Sequence, residues 1–390
     1  MKIDVASVAS GLRSPYSRID HPSEQAVAAG SREGSDVSLE ELGIVPKRIG
    51  DLLVAGVRFR LKDPEELGRR LEEVQGRCGD RVCGPAMSVF DYGTGTARGL
   101  DVTACYPVSE AVEADGVESR VLEGGEALTV LHRGSPDDIG ESYRKLFGYA
   151  RDHGILTTAL QREVYLESDP DNPEESLTEI QAFVHDWPGR LARNVERVLG
   201  EAVVAEVMRS AVGLTLESSL EERVAWINKA LERLGRLADE DQIYDVVSGC
   251  AHVFSGDRIG ELRAIWERGN DIDGVLEFMR GDPDRWYGNH VRRGNVIHEV
   301  KDPINPEAHG KAASDEERRM HYCHCPLVRR NMDGVDPRFC YCGAGWYRQY
   351  FEGMLGETVR IEVLKSLTRG DESCEFAIHL PAGTREREEA

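Results

Sequence analysis

The densest group of reactive side chains in this 390-residue chain is the segment HYCHCPLVRRNMDGVDPRFCYC, residues 321–342. It contains two Cys-x-Cys pairs, formed by Cys323 with Cys325 and by Cys340 with Cys342. Four thiolates suit a tetrahedral Zn(II) ion, although zinc sites usually place two to four residues between the cysteines of a pair. In an extended segment both thiols of such a pair point to one face, so that each pair could reach a common centre. The sequence therefore predicts these four cysteines as candidate metal ligands, with Zn as the candidate cofactor.

Two other interpretations of the same segment remain open. His324, Arg329 and Arg330 would supply the positive surroundings that lower the pKa of a catalytic thiolate. The thiols could instead line a ligand pocket, or pack against Trp346 and Tyr347 without any chemistry of their own. Three further side chains could replace a poorly placed metal ligand: His321, His324 and Cys374.

A disulfide is the least favoured interpretation. The amino-terminal sequence MKIDVASVASGLRSPYSRID lacks the apolar core of a signal peptide, and no run of about 18 apolar residues indicates a membrane span. We therefore expect a cytoplasmic protein, in which thiols stay reduced. The odd count of nine cysteines also argues against a closed disulfide framework.

The length and the net charge of the chain restrict its domain organisation and the kinds of partner it can bind. A chain of 390 residues exceeds the usual size of one hydrophobic core and predicts two domains. A composition with 40% hydrophobic and 30% charged residues is typical of a soluble globular protein. The formal charge of −22 disfavours a nucleic-acid partner, because phosphate contacts need clustered Lys and Arg. It leaves open a small cationic ligand.

The first half of the chain carries the same order of strand and helix signals twice. The first copy has a strand at 52–61, a helix at 63–79 and strands at 86–93 and 100–108; the second has a strand at 125–134, a helix at 135–154 and strands at 161–169 and 177–184. The helix ends at Gly79 and Gly154 are offset by nearly the same number of residues as the strand ends at Val108 and Val184. This repetition predicts an internal duplication.

One carboxylate of the second copy is a candidate ligand-binding group. In the strand sequence REVYLE, Glu163 and Tyr165 fall on one face because side chains alternate along a strand. Phe90 and Tyr92 share a face of the matching strand in the first copy, and we expect them to form the opposite wall. A carboxylate among aromatic rings attracts organic cations. The alternative interpretation is a Glu on the solvent face of an antiparallel sheet.

The duplicated unit, the HRG after its first strand and the sequences REVYLESDP and LTEIQAFV resemble the GyrI-like small-molecule-binding superfamily over about residues 48–187. This superfamily includes the effector-binding domains of multidrug-sensing transcription regulators. The resemblance implies a cleft that takes cationic or amphipathic ligands, with Glu163 at its base. It also admits hydrolysis of electrophilic ligands, as in some relatives. The preceding segment lacks the length and basic face of a helix-turn-helix, so DNA binding is not expected.

The second half of the chain begins after Pro188 and Gly189, which mark a boundary. Its apolar residues first repeat at helical spacing, and residues 358–380 predict a hairpin. The hairpin sequence GDESCEF and the upstream cysteines resemble the 4-vinyl reductase small-molecule-binding domains and the L-2-amino-thiazoline-4-carboxylic acid hydrolase family, over about residues 190–382. That resemblance implies either a ligand pocket bounded by thiols or a hydrolase site.

These observations predict an α+β protein, in which a duplicated β-α-β-β antiparallel-sheet domain precedes a helical, Cys-rich α+β domain. The expected boundaries are a flexible tail at 1–45, the sheet domain at 46–187, the Cys-rich domain at 188–383 and a tail at 384–390. The predicted function is binding of a small organic molecule, in a sensing, sequestering or detoxifying role. The alternative is a hydrolase that acts through Glu163 or through one of the four paired cysteines.

Overall fold

A computed structural model describes residues 39–96, 99–168, 172–253, 256–269, 271–282, 286, 288–382 and 384. Within these ranges, residues 39–150 together with 157–184 form one compact unit, and residues 151–156 together with 185–384 form a second. None of the helices in these ranges is long and apolar enough to cross a membrane. Most of both predicted tails falls outside the described residues.

The first unit is an eight-stranded antiparallel sheet with helices. Its elements are α1 (Leu39–Leu42), β1 (Ile44–Ile49), β2 (Leu52–Leu61), α2 (Pro64–Cys78), β3 (Met87–Thr96), β4 (Gly99–Pro107), β5 (Glu118–Leu122), β6 (Gly125–Arg133), α3 (Ile139–Asp152), β7 (Thr157–Glu167) and β8 (Leu177–Val184). The strand order is β1-β6-β8-β7-β3-β4-β2-β5. Each half of the sheet therefore contains the three long strands of one copy, and β3 and β7 meet at the centre. The predicted duplication of a β-α-β-β unit is confirmed.

Two strands of this sheet, β1 and β5, were not predicted from the sequence. Both are edge strands, and most of their side chains are at least partly exposed. Their sequences IVPKRI and ESRVL therefore lack the apolar alternation that identifies a half-buried strand. Pro46 is tolerated in β1 because an edge strand need not donate every backbone N–H. β1 begins at Ile44, within the predicted tail at 1–45.

The two faces of the sheet differ in what covers them. α2 buries Leu67, Leu71 and Val74 against inward side chains of β2, β3, β4 and β7, and α3 buries Tyr143 and Leu146 on the same side as Glu163. We call this side the helix face. The opposite side, the outer face, carries a smaller apolar cluster to which no helix of the described first unit contributes: Val54, Met87, Val89, Cys105, Leu122 and Val164.

The second unit combines ten helices of the described residues with a four-stranded sheet. Its helices are α4 (Trp187–Leu199), α5 (Val204–Val207), α6 (Leu220–Leu237), α7 (Glu240–Ser248), α8 (Gly256–Trp266), α9 (Ile272–Arg280), α10 (Pro306–Lys311), α11 (Asp315–Tyr322), α12 (Pro326–Arg329) and α13 (Tyr341–Leu355). Its strands are β9 (Gly288–Arg293), β10 (Val296–Lys301), β11 (Arg360–Lys365) and β12 (Glu375–His379), in the order β11-β12-β10-β9.

The core of the second unit consists of two apolar clusters. One is formed mainly by the helices α4, α6 and α7. The other joins α13 to the sheet, where the ring centroids of Tyr347 and Phe376 lie 4.8 Å apart. The predicted hairpin forms as β11 and β12, with Ile361, Val363, Phe376 and Ile378 buried. The predicted fold class, a sheet domain followed by a helical α+β domain, is confirmed.

Candidate functional site

Glu163 lies at the centre of the first sheet, with 2% of its surface exposed. Tyr143 Oη on α3 donates to its Oε1 at 2.8 Å, and Tyr165 Oη donates to its Oε2 at 3.0 Å. The Tyr165 hydroxyl also lies 3.0 Å from Ser88 Oγ. Because a phenol has one proton, Ser88 can complete this chain by donating to Tyr165. The alternative interpretation, a Glu on a solvent-exposed face, does not hold.

The position of Glu163 follows from the duplication. Glu163 on β7 pairs directly with Ser88 on β3. These two residues are 75 positions apart, which is also the separation of the equivalent glycines 79 and 154. A residue that pairs with its own counterpart lies on the local twofold axis of the two copies. The same offset relates Tyr165 to Phe90. The second copy therefore contributes the Glu163 carboxylate at this axis, and the first copy contributes the Ser88 hydroxyl at the equivalent position.

The aromatic residues predicted to surround Glu163 are placed as follows. Tyr165 and Phe90 are buried, with 3% and 1% of their surface exposed, in one cluster on the helix face. The side chain of Tyr92 lies outside the described residues, although its backbone belongs to β3. The structure therefore brings the side chains of Glu163, Tyr165 and Phe90 together on the helix face of the sheet.

Two further polar residues of this site were missed in the sequence. Tyr143 lies on the apolar stripe of α3 together with Ile139 and Leu146, and a tyrosine on such a stripe needs a buried hydrogen-bond partner. That requirement was a readable signal. Gln161 lies two residues before Glu163 on the same face and is 1% exposed. Its Nε2 donates to Thr158 O at 2.7 Å, whereas its Oε1 has no partner.

Burial raises the pKa of Glu163 to about 7, against the smaller opposing effect of the hydrogen bonds from Tyr143 and Tyr165. No Lys, Arg or His of the described residues forms an ion pair with this carboxylate. Its two donors are neutral phenols. The site therefore offers a carboxylate and an amide oxygen, and it supplies no positive charge to neutralise the ionised form.

The four cysteines of the cysteine-rich segment are free thiols, and so are the other five cysteines of the chain. Cys323 follows α11 and its Sγ lies 3.8 Å from Cys325 O. Cys340 Sγ lies 3.1 Å from Thr368 Oγ1, and Cys342 Sγ lies 3.6 Å from the Cys250 carbonyl oxygen. Each of these thiols thus contacts an oxygen atom of the protein.

The thiols of this segment are protonated at neutral pH. Burial raises the pKa of Cys325 and of Cys374 to about 11, and it raises the pKa values of Cys323 and Cys342 well above that of an ordinary thiol. Neighbouring thiols add to the effect, since Cys325 and Cys374 further raise the pKa of Cys323. Cys374 therefore lies close to the segment.

The residues proposed to activate a catalytic thiolate have other partners. His324 Nε2 lies 2.7 Å from the Asp302 carbonyl oxygen, and burial lowers the pKa of His324 well below its ordinary value. Arg329 Nε donates to the backbone oxygen of Cys323 at 2.9 Å. Arg330 is ion-paired with Asp152 at 2.8 Å. The geometry gives no support to a nucleophilic thiolate.

Within the described ranges, no group of three or more His, Cys, Asp or Glu side chains is arranged to hold a metal ion. The four predicted ligands, Cys323, Cys325, Cys340 and Cys342, all lie within those ranges. The zinc site stays a prediction that the side-chain positions do not support.

A buried acid–base pair in the second unit was also missed. Glu299 on β10 pairs with His290 on β9, with 3.2 Å between Oε2 and Nε2 and no exposed side-chain surface on either residue. Tyr347 Oη donates to Glu299 Oε1 at 3.3 Å. Burial raises the pKa of Glu299 to about 9 and lowers that of His290 to about 4. Both groups are therefore neutral at pH 7.

The first unit is a duplicated antiparallel sheet with a buried acid and tyrosines at its centre. Residues 52–184 match the family model of the GyrI-like small molecule binding domain, which confirms the resemblance predicted for this part of the chain. Residues 289–384 match a family of unknown function (DUF6144). The resemblance of the second half to the amino-thiazoline hydrolase and 4-vinyl reductase families stays a prediction. No curated protein matches the chain.

Solved structures similar to the chain include the EcmrR C-terminal domain, at 22% identity and a TM-score of 0.32, with 36% of this chain and 96% of that chain covered. SAV2435 bound to tetraphenylphosphonium matches at 12% identity and a TM-score of 0.27, with 36% and 93% covered. A hydrolase from Listeria innocua matches at 15% identity and a TM-score of 0.26, with 36% and 91% covered.

Proposed function

We propose that the first unit is a receptor for an organic cation, whose positive charge is neutralised by Glu163. The observation that carries this proposal is a buried carboxylate hydrogen-bonded by two neutral phenols, with no cationic side chain of the described residues as its ion-pair partner. Such a carboxylate holds a proton near pH 7 because ionisation without a counter-charge is costly in a desolvated site. A bound cation removes that cost and takes the place of the proton.

The surroundings of Glu163 fit the rest of such a ligand. Tyr143, Tyr165 and Phe90 supply aromatic surface, which binds cations through the ring quadrupole as well as through dispersion. The unpartnered Oε1 of Gln161 can accept a hydrogen bond from an N–H of the ligand. These contacts support a cationic or amphipathic aromatic ligand, and a sensing or sequestering role.

The test is titration calorimetry of the full-length protein with tetraphenylphosphonium, an aromatic cation whose charge does not depend on pH. At pH 8 we expect binding by the wild type, and at least tenfold weaker binding by Glu163→Gln, which keeps the size of the side chain and removes its charge. Triphenylphosphine oxide, a neutral analogue, should bind both proteins equally weakly. Equal affinity of the two proteins for the cation would reject the proposal.

Hydrolysis by the same site is the second candidate function. The pKa of about 7 at Glu163 supports it, because general acid–base catalysis is most efficient when the pKa lies near the working pH. The substrate would be an electrophile with an aromatic body. Turnover that disappears in Glu163→Gln but survives thiol alkylation would support the hydrolase, whereas binding without turnover supports the receptor.

For the second unit we propose a ligand-binding role for the thiols of Cys323, Cys325, Cys340 and Cys342, with Zn(II) as the alternative occupant. The raised pKa values of these thiols support the first, since a metal ligand must be a thiolate. Elemental analysis of protein purified without chelator or affinity metal separates the two, because a zinc site requires about one Zn per chain.

A further inference from the structure

The outer face of the first sheet contains a buried guanidinium that forms no ion pair with a carboxylate of the described residues. Arg162 is 6% exposed, and its Cζ lies 4.3 Å from the ring centroid of Phe183. Its Nη2 donates to the Glu123 carbonyl oxygen at 2.5 Å, whereas its Nη1 has no partner. Arg162 and Glu163 are consecutive and therefore point to opposite faces, so neither can neutralise the other.

The surroundings of Arg162 leave its charge uncompensated. Burial is the main cause that lowers its pKa to about 10, and the nearby charge of Arg120 contributes to this shift. Arg120 itself donates to Thr103 Oγ1 at 3.0 Å. The charge of Asp51 acts on Arg162 only weakly, and Asp51 Oδ1 accepts from the backbone N–H of Gly124 at 2.8 Å. In a chain with a net charge of −22, a buried cation without an ion-pair partner among the described residues points to an anionic ligand.

A second polar group lies beside Arg162 and also has an unused atom. Gln181 on β8 pairs directly with Arg162 on β7, and it is 7% exposed. Its Nε2 donates to Glu179 Oε1 at 2.8 Å, and Glu179 is ion-paired with Lys47. Its Oε1 has no partner. The pair therefore presents an unused donor on Arg162 and an unused acceptor on Gln181.

The neighbours of this pair are the Glu179 carboxylate, which is held by Gln181 and Lys47, and several apolar side chains. Val89 pairs with Arg162 across β3 and β7, and Val164 lies two residues further along β7 on the same face. Both belong to the apolar cluster of the outer face. Leu160, two residues before Arg162, is 45% exposed. A ligand of this face therefore meets the Arg162 cation, the Gln181 acceptor and an apolar surface, beside a Glu179 carboxylate whose charge is balanced by Lys47.

We propose that the outer face of the first unit binds a small, largely apolar carboxylic acid, with its carboxylate on Arg162 and an adjacent hydroxyl or N–H on Gln181. This site is separate from the Glu163 site and lies on the other side of the same strand. Its ligand carries the opposite charge, so that success or failure of the cation-binding proposal does not decide this one.

The probes are three related compounds, titrated calorimetrically into the full-length protein: mandelate, phenylacetate, which lacks the hydroxyl, and the neutral mandelamide. We expect mandelate to bind more tightly than phenylacetate, and mandelamide at least tenfold more weakly than mandelate. Inorganic phosphate should bind more weakly than mandelate, because it has no apolar body. Affinity for phosphate or mandelamide equal to that for mandelate would overturn the proposal, as would the absence of mandelate binding.

Two variants assign the contacts. Arg162→Met keeps an unbranched side chain without the guanidinium and should weaken mandelate binding at least tenfold, which corresponds to about 1.4 kcal/mol. Gln181→Leu should abolish the preference for mandelate over phenylacetate. The matched control is Arg58→Met, because Arg58 lies on β2 and already pairs with Asp101 at 2.9 Å; its affinity should stay within twofold. Thermal unfolding checks that Arg162→Met is folded, and unchanged mandelate affinity in that folded variant would refute the assignment.

Discussion

Lowering the pH from 8 to 5 should sharply weaken binding of a permanent organic cation to the first unit. The physical reason is competition between the cation and the proton that Glu163 holds, whose pKa is raised to about 7 by burial. At that pKa the ionised fraction is about 0.9 at pH 8 and about 0.01 at pH 5. If the cation binds only the ionised form, its affinity should fall about 90-fold, equivalent to about 2.7 kcal/mol.

The assay is a series of calorimetric titrations of tetraphenylphosphonium between pH 5 and pH 8 in two buffers of different ionisation enthalpy. The plot of log affinity against pH should have a slope near one below pH 7 and flatten above it. Near and below pH 7, binding should release up to one proton per cation. Glu163→Gln should show weak binding with no such slope.

Tyr143→Phe provides an internal check on the cause of the pH dependence. Its hydroxyl donates to the Glu163 carboxylate at 2.8 Å and lowers the pKa of Glu163. Removal of this donor should therefore move the midpoint of the affinity curve to higher pH. An affinity for tetraphenylphosphonium that is the same at pH 5 and pH 8 in the wild type would refute the reasoning, even if binding itself occurs.

Two further predictions concern stability and thiol reactivity. The pKa of Glu163 in the folded protein is raised from 4.5 to about 7. The contribution of protonated Glu163 to the free energy of unfolding is therefore fully present below pH 4.5 and is lost as the pH rises through 7. Glu163→Gln should therefore stabilise the first unit by up to ~3 kcal/mol at pH 8 and have little effect at pH 4.5, measured by urea unfolding; greater stabilisation at pH 4.5 would contradict this sign. Iodoacetamide at pH 7.5 should rapidly label the exposed Cys83. Cys325 has a pKa of about 11, so that only ~0.0003 of its thiol is ionised, and it should react only after the protein is unfolded. Rapid labelling of Cys325 in the folded protein, located by peptide mass spectrometry, would contradict its burial.

Short-range patterns in the sequence were sufficient for much of the first unit. The predicted strands at 52–61 and 177–184 coincide with β2 and β8, because their apolar runs are bounded by clear turn residues. Alternation also placed Glu163 and Tyr165 on one face. The edge strands β1 and β5 escaped prediction because exposed strands carry no periodic apolar signal.

The sequence by itself determined the duplication, the fold class and the identity of the carboxylate at the centre of the sheet, since these depend on spacing along the chain. Tertiary structure decided the chemical state of each site. Tyr143 reaches Glu163 from another element, the thiols of the Cys-x-Cys pairs are protonated by burial, and Arg162 forms no ion pair with any described residue. The pKa and the hydrogen-bond partners of a buried group depend on all the atoms packed around it, and most of those atoms come from residues distant in the sequence.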